Sequence, residues 1–281
     1  DGVFSNVAEV QVVPDPTVVI GPSYGSYCQD APSDGLNALV SGGLGTASFQ
    51  WHVNTSDSNQ GGVPIPSANS AEFFPPTDVI GTFYYYCVVD QLVSGCQGVS
   101  NVVEVEVTPG PSITSDFDDQ QVCVGGALNS WTVSYQDGTG NPSYQWYVSS
   151  SPSMADAEEI QGETLPEFTP PSEVAGIFYY TCVIAFDSGG CDEIIAPLAT
   201  VLIAPDPQVT TQPLDGEELC VGGTLDEALY VVYSGGLGAP TYEWFVNGTP
   251  IPNSNSTGYL PPIFDQVGSY SFEVVISVSG N

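Results

Sequence analysis

A six-residue stretch with a tryptophan near its centre occurs three times in the 281-residue chain. In each copy apolar and polar residues alternate with the two-residue period of a strand that buries one face. The tryptophans are separated by 95 and then 98 residues. This spacing predicts one β-rich unit repeated along the chain, with the three copies of the stretch at Ser48–Val53, Ser143–Val148 and Thr241–Val246.

Other landmarks share this period. Each unit has a cysteine 23 or 24 residues before its tryptophan, and a double proline and a glycine-led aromatic strand after it. In the first two units a closing strand and a proline-containing linker follow, and residues 1–13 match such a closing strand. The sequence therefore predicts a window from a longer array: 1–13, the closing strand of a preceding repeat; 14–108, the first repeat; 109–204, the second repeat; and 205–281, a third repeat without its last strand.

The charge balance excludes several classes of partner. The chain has 33 acidic residues and no Lys or Arg, which gives a formal net charge of −33. Such a chain repels the phosphates of nucleic acids and of anionic lipids, and it has no basic side chain to bind them. It also has no apolar run long enough for a membrane span. We expect no nucleic-acid partner and no direct membrane contact.

Few residues are suited to catalysis. The only histidine, His52, stands where the other copies have Tyr147 and Phe245, so a packing role is expected. No Lys or Arg can bind a phosphate or stabilise an oxyanion, and the Gly-rich segments lie between strands as turns. We expect no enzyme activity, and no catalytic, cofactor-binding or metal residue. The acidic loop Asp116–Asp119 offers oxygen ligands suited to Ca²⁺, but it lacks a calcium-loop pattern, and a solvated loop is preferred.

About seven short strands per unit, separated by turn signals, predict a β-sandwich. The tryptophan strand, and a tyrosine two residues before a strand cysteine (Tyr85 before Cys87), resemble the core of immunoglobulin domains. The usual partner-cysteine position, thirteen residues before each tryptophan, is apolar in all three repeats. The resemblance implies an all-β fold of tandem immunoglobulin-like β-sandwich domains in a linear array. Its core would contain Trp51, Trp146, Trp244, Cys87 and Cys182.

The seven cysteines are distributed three, three and one among the repeats. The preferred pairing is Cys28–Cys96 and Cys123–Cys191, because it places the partner of Cys220 just past the end of the sequence. Cys87 and Cys182 are then buried thiols. Two alternatives stay open, a Cys28–Cys87 bond and a hairpin bond Cys87–Cys96. Disulfides of any of these kinds imply an oxidising, extracytoplasmic location.

The whole chain also resembles the immunoglobulin-like repeats of very large surface proteins of Bacteroidota. The resemblance is carried by five motifs: Cys-x-Gly-Gly at Cys123–Gly126 and Cys220–Gly223, Tyr-Gln-Trp-Tyr at Tyr144–Tyr147, a Pro-Pro…Gly-x-x-Tyr-Tyr-x-Cys run that ends at Cys182, Ser-Gly-Cys at Ser94–Cys96, and Ser-Asn-Val at Ser100–Val102. Similar repeats form the long gliding-motility adhesins that these bacteria export through the type IX secretion system.

This resemblance implies an extracellular adhesive filament or stalk at the cell surface. Its implied partners are a surface polysaccharide or an abiotic substratum, or copies of the same chain within a filament. Two alternatives stay open: a spacer array within a large secreted enzyme, and a carbohydrate-binding array that acts through exposed tyrosines.

Overall fold

The computed structural model describes residues 1–91 and 95–279. Ser94 of the Ser-Gly-Cys motif and the last two residues of the third repeat lie outside the described residues. Within them the regular structure consists of strands and one short 3-10 helix at Met154–Asp156, which confirms the predicted all-β fold class. No helix in this part of the chain is long and apolar enough to cross a membrane.

The strands follow the repeats. In the first repeat they are β1 Thr17–Gly21, β2 Tyr24–Cys28, β3 Leu36–Ser41, β4 Ala47–Asn54, β5 Val63–Pro64, β6 Glu72–Phe73, β7 Gly81–Gln91, β8 Cys96–Val99 and β9 Val103–Thr108. In the second they are β10 Ser112–Ile113, β11 Gln120–Cys123, β12 Trp131–Thr132, β13 Tyr135–Gln136, β14 Pro142–Ser149, β15 Glu158–Glu159, β16 Glu167–Phe168, β17 Gly176–Phe186, β18 Ile194–Ile195 and β19 Ala199–Ala204. In the third they are β20 Gln208–Thr211, β21 Leu229–Tyr230, β22 Val232–Ser234, β23 Pro240–Val246, β24 Thr249–Pro250, β25 Gly258–Tyr259 and β26 Phe272–Val278.

The first repeat folds as a sandwich of two sheets. One sheet has the order β1-β3-β6, and the other has the order β2-β9-β7-β4-β5 with β8 paired to β7. Strand β2 runs parallel to β9, whereas β9 and β7 are antiparallel. The alternation of valine and glutamate along β9 turns its valines inward, and Val103, Val105 and Val107 are almost completely buried.

Trp51 lies in the middle of this core. It is fully buried, it lies directly opposite Cys87 in the β4–β7 pairing, and its ring stacks on Phe73 with 5.3 Å between the ring centroids. The position that would hold the usual partner cysteine is occupied by Ala38, which is buried in the same cluster. Among the described residues of the first repeat, no disulfide joins the two sheets.

The tryptophan strand is held in the same way in all three repeats. Trp51, Trp146 and Trp244 are fully buried. Each indole Nε1 donates a hydrogen bond of 2.9 Å to a backbone carbonyl in the loop that follows, and the acceptors are Ser70, Leu165 and Ser256. The only polar atom of each buried ring is thereby satisfied. The sequence repeat is thus also a repeat of packing and hydrogen bonding.

The chain packs as two compact units whose limits differ from those of the repeats. The first unit comprises Asp1–Ser115, Val133–Gln145 and Cys182–Ala196, and the second comprises Asp116–Thr132, Trp146–Thr181 and Pro197–Asn281. The first repeat is therefore packed in one unit together with two pieces of the second repeat.

The second unit repeats the parallel arrangement found in the first. Strand β11 runs parallel to β19, with Cys123 opposite Ala204, and β19 is antiparallel to β17. In the third repeat β23 pairs with β26 and β24, and the small core around Trp244 includes Leu229 and Val231.

Residues 1–16 form no strand in the structure, in contrast to the strand predicted over 1–13. Val3, Phe4, Val7, Val10 and Val12 are all more than four-fifths exposed. A strand needs a neighbour for its backbone hydrogen bonds, and none of the described residues pairs with this segment. The assignment of residues 1–13 to a preceding repeat stays a prediction.

Candidate functional site

One disulfide bond joins two different repeats. Cys28 of the first repeat is bonded to Cys191 of the second, 163 residues away in sequence, with 5.1 Å between the two Cα atoms. Both residues belong to the first compact unit. The bond therefore fastens a turn of the second repeat to the end of the first.

This bond corrects the predicted pairs Cys28–Cys96 and Cys123–Cys191. Along β9 and β7, Cys28 lies opposite Thr108 at the linker end of the sheet, where Gly81 lies opposite Val107. Cys96 lies opposite Gln91, at the other end of the 11-residue strand β7. Ten residue steps along a strand span about 33 Å, whereas the Cα atoms of a disulfide must approach within about 7 Å. Cys28 and Cys96 therefore lie at opposite ends of their own sandwich.

The same topology explains the bond between repeats. In the first two repeats the first cysteine ends the strand that runs beside the closing strand, and the chain leaves the closing strand through the linker. The third cysteine follows the turn after the long aromatic strand. In the first repeat, Cys28 lies at the end of the sandwich next to the linker and Cys96 lies at the far end. The third cysteine of the second repeat, Cys191, is therefore the one that meets Cys28. The spacing of the cysteines in the sequence is also compatible with a bond between repeats. Only the strand pairing shows that Cys28 and Cys96 are too far apart to be bonded.

Hydrogen bonds seat the turn of the second repeat on the first. The N–H of Cys28 donates to the carbonyl of Gly189 at 2.9 Å. The hydroxyls of Ser26 and Thr139 lie 2.8 Å apart, at hydrogen-bond distance. The N–H of Thr139 points to the Sγ atom of Cys191 at 3.2 Å. Two segments of the second repeat, around 139 and around 189, thus meet the end of β2.

Two glycines allow this close approach. Gly189 and Gly190 have φ angles of 77° and 63°, in the left-handed region that suits glycine. A Cβ atom at Gly190 would lie 2.9 Å from the Cβ of Ala31, and one at Gly189 would collide with Thr139. Glycine is therefore favoured at both positions of the Ser-Gly-Gly-Cys segment 188–191, because the backbone is left-handed there and because no space is left for a side chain.

The base of the turn is braced by Asp187. Its Oδ1 accepts a hydrogen bond from the N–H of Asn141 at 2.7 Å, and its Oδ2 accepts one from Asn141 Nδ2 at 2.9 Å. These hydrogen bonds, the side-chain one first, hold the pKa of the Asp187 carboxyl below its usual value. The linker is fixed as well, because the N–H of Gly138 donates to the carbonyl of Pro109 at 3.1 Å.

The other cysteines occupy three kinds of environment. Cys87 and Cys182 are completely buried on the long aromatic strands, and burial raises the pKa of each thiol to about 11. Cys96 and Cys123 are buried at the ends of strands β8 and β11. Cys220 is exposed. Buried thiols with a raised pKa are poor nucleophiles, so Cys87 and Cys182 are packing residues in this environment.

The residues considered for catalysis or Ca²⁺ binding, His52 and the loop Asp116–Asp119, make packing contacts and hydrogen bonds within the fold. The His52 ring stacks on Tyr86 with 5.0 Å between centroids, and its Nδ1 lies 3.3 Å from the carbonyl oxygen of Gly62. In the acidic loop Asp116–Asp119, Asp119 Oδ1 accepts a 2.7 Å hydrogen bond from the N–H of Thr200, and Phe117 packs against Trp131. Among the described residues no three His, Cys, Asp or Glu side chains converge as a metal site.

Comparison with known proteins shows the fold. No protein-family model matches the chain, and neither does any curated protein. Among solved structures, the chain is similar to the I-band fragment I67–I69 from titin, with a TM-score of 0.52 at 10% identity over 96% of this chain and 95% of that one. An E-to-A mutated variant of titin I67–I69 gives a TM-score of 0.51 at 13% identity, over 94% and 95% of the two chains. Sidekick-1 immunoglobulin domains 1–4 give 0.38 at 16% identity, over 97% and 74%.

The strand topology and the likeness to titin I67–I69 define the class of protein. The chain is an array of tandem immunoglobulin-like β-sandwich domains. Identities this low show the fold alone, and such folds serve many functions. The particular feature of this array is the covalent bond between two of its repeats.

Proposed function

We propose that the chain is a load-bearing, adhesive segment of a long extracellular surface filament or stalk, and that it catalyses no reaction. The bond between Cys28 and Cys191 is the observation that supports this most directly. A disulfide that closes a loop of 163 residues between repeats changes how the chain carries tension. Tandem immunoglobulin-like folds suit a structural or adhesive role.

The reason is the path that tension takes through the covalent chain. When the chain is pulled from its two ends, the shortest covalent route enters at Cys28, crosses the disulfide and leaves at Cys191. The residues between the two cysteines, which include the Trp51 core and most of the second repeat, then carry no load. One bond therefore shields the strands from β3 to β17 from tension, whereas β1, β2, β18 and β19 stay on the loaded path.

Composition supports an extracellular setting. Disulfides persist in oxidising compartments and are rare in the cytosol. The absence of Lys and Arg leaves no cleavage site for trypsin-like proteases, and a net charge of −33 keeps neighbouring filaments apart. We propose that the filament is of the gliding or attachment type made by Bacteroidota and exported by type IX secretion. Its partner would be a surface polysaccharide or an abiotic substratum, or further copies of the chain.

Single-molecule stretching of the chain, held by its two ends, tests the load-bearing role. We expect the oxidised chain to release no length from residues 29–190 at any force that leaves the disulfide intact. Reduction should add roughly 550 Å of contour length, since an extended chain spans at most 3.3–3.6 Å per residue. The Cys28→Ser variant is the matched control and should behave as the reduced chain does. If the oxidised and reduced chains give equal contour lengths, the load-bearing proposal fails.

Adhesion is tested separately with microspheres that carry the oxidised chain. We expect them to be retained on polysaccharide-coated or bare glass surfaces under flow, with retention increasing as salt screens the acidic surface. Microspheres that carry titin I67–I69, which has a similar fold, are the control. Equal retention of both would remove the adhesive part of the proposal.

A further inference from the structure

We propose that the bond between Cys28 and Cys191 is one of a series, in which the first cysteine of every repeat is bonded to the third cysteine of the next. Cys123 is then the attachment point for the repeat that follows it. This inference rests on the proposed function only in that it needs an oxidising environment. It concerns the internal construction of the array and not what the array adheres to.

The backbone around Cys123 is bonded as the backbone around Cys28 is. In both places the N–H of the following residue donates to the closing strand: Gln29 to Thr108 at 2.8 Å, and Val124 to Ala204 at 3.0 Å. In both, the N–H three residues on donates back to the cysteine carbonyl, at 3.1 Å from Ala31 and at 2.9 Å from Gly126.

The turn after each cysteine also matches. Asp30 and Gly125 both have left-handed backbone, with φ angles of 63° and 76°. Their N–H groups donate to the residue that follows the double proline, Thr77 at 3.0 Å and Ser172 at 2.9 Å. Cys28 and Cys123 are therefore each followed by a turn with the same backbone conformation and the same hydrogen bonds. Cys28 is bonded to the next repeat.

A cavity lies beside the turn that follows Cys123. The turn Val122–Ala127 and Asp206 of the linker line a space of about 420 Å³. Cys123, which is almost completely buried, is one of these lining residues. In the first repeat the matching surface is covered by the Gly189–Gly190 turn, which packs on Ala31. The cavity at Cys123 is thus placed where a Gly-Gly-Cys turn of a following repeat would sit.

The linker that leads into the third repeat is fixed in the same way as the first linker. The N–H of Gly236 donates to the carbonyl of Pro205 at 2.7 Å, as the N–H of Gly138 donates to the carbonyl of Pro109 at 3.1 Å. Gly138 and Gly236 both stand eight residues before their tryptophans. At both junctions, therefore, the linker proline is hydrogen-bonded to the glycine that stands eight residues before the tryptophan of the following repeat.

The sequence spacing gives the position of the expected partner. Cys191 stands nine residues after Cys182, and the residue that matches Cys182 in the third repeat is Val274. In a repeat that continues as the second repeat does, a cysteine would stand nine residues beyond Val274, in the turn after β26. This is the partner that the proposed series assigns to Cys123.

The bond forms by oxidation of two thiols, which lose two electrons and two protons. A small disulfide such as oxidised glutathione supplies the oxidant. One thiolate attacks it and releases one glutathione, and the second thiolate then attacks the mixed disulfide and releases the other. Because successive bonds close overlapping loops of the chain, rupture of one bond leaves the flanking repeats linked by the next.

The inference is tested by completing the third repeat. Residues 187–204 are grafted after Val278 in place of the last three residues, and the chain is refolded with oxidised glutathione. Digestion at acidic residues and mass mapping without reduction should then show Cys123 linked to the grafted cysteine, together with the Cys28–Cys191 bond. A second graft that carries serine in place of that cysteine is the control and should leave Cys123 as a thiol. A bond from the grafted cysteine to Cys220, or none at all while Cys28–Cys191 forms, would overturn the proposal.

A second measurement uses the unaltered 281-residue chain and does not depend on the graft folding. With oxidised glutathione at pH 8, Cys123 should form a mixed disulfide at least tenfold faster than Cys182, because Cys123 is among the residues that line a cavity whereas Cys182 is completely buried and burial raises the pKa of its thiol. Equal rates at both residues would contradict the proposed attachment point. Adhesion does not enter either result, so a chain that forms both bonds yet binds no surface would overturn the adhesive function alone.

Discussion

At the scale of single residues, the array is specified by a few buried side chains that recur at one period. The tryptophan of each repeat fills its core and satisfies its indole N–H with a loop carbonyl. The thiols of Cys87 and Cys182 are packing groups, and Val274 occupies the matching place opposite Trp244. The residues with candidate chemistry therefore contribute mainly to stability.

Replacement of Trp51 tests its role in the core. Trp51→Ala removes a fully buried ring and leaves the carbonyl of Ser70 without its donor, so we expect a loss of about 3–5 kcal/mol in the free energy of unfolding. Denaturant unfolding followed by circular dichroism measures this. Phe74→Ala, at an exposed aromatic residue nearby, should change stability by less than about 0.5 kcal/mol. Equal effects of the two substitutions would show that the tryptophan does not organise the core.

The buried thiols predict a dependence of stability on pH. Burial raises the pKa of Cys87 and Cys182 from 9.0 to about 11, so the folded state favours the neutral thiol. The resulting stabilisation is fully present below pH 9 and is lost as the pH rises through 11, because the unfolded chain ionises first. In a Cys87→Val, Cys182→Val double variant the urea midpoint should fall less between pH 8 and pH 11 than in the parent. Parallel curves for the two proteins would contradict this assignment.

At the scale of elements, two features decide the junction. Strand β2 runs parallel to β9 and carries Cys28 to the linker end of the sheet. The turn Asp187–Cys191 of the second repeat is braced by Asn141 and reaches this end through two left-handed glycines. Because β2 is held by its pairing with β9 and the turn by the Asp187 side chain, we expect the two cysteines to meet before they are oxidised.

Gly190 tests this arrangement of the turn. Gly190→Ala introduces a Cβ atom against Ala31 and an unfavourable left-handed conformation, so Cys28 and Cys191 should be joined several-fold more slowly during oxidative refolding. Gly216→Ala is a matched control, because Gly216 also has a positive φ of 85° but nothing lies within 4 Å of its added Cβ. Thiol trapping at timed intervals measures both rates. If the two variants are slowed equally, contact with the first repeat has no part in guiding the bond.

At the scale of the whole molecule, the Cys28–Cys191 bond is a second covalent connection between the first two repeats. Without it, the short proline-containing linker would be their only covalent connection. In the chain-entropy description a disulfide across 163 residues stabilises the folded state by at most about 5 kcal/mol. The acidic surface gives the array no ion pairs between Lys or Arg and carboxylates, so burial, hydrogen bonds and this covalent bond are its sources of stability.

Removal of the bond tests its contribution. Cys28→Ser and Cys191→Ser should each lower the thermal midpoint, and the double variant should do so by no more than either single change, since all three lose the same bond. Cys220→Ser alters an exposed cysteine and should leave the midpoint unchanged. Differential scanning calorimetry under non-reducing conditions provides the comparison. Additive losses in the double variant would show that the two cysteines act independently.

The sequence alone predicted the fold class and the position of the repeated tryptophan strand. Both depend on local patterns, because alternation along a strand and a fixed period of landmarks are visible in the order of residues. His52 was likewise placed in an aromatic packing position by comparison with Tyr147 and Phe245, and it stacks on Tyr86.

The partner of Cys28 depended on the tertiary structure. Spacing along the chain fits a bond within a repeat and a bond between repeats equally well. Only the parallel pairing of β2 with β9 shows that Cys28 and Cys96 lie at opposite ends of the sandwich, and only the packed turn at Gly189 brings Cys191 to Cys28. The chain by itself thus determined how each sandwich packs, through short-range patterns of burial. The covalent link between repeats was decided by strand order in space, which sequence distance does not encode.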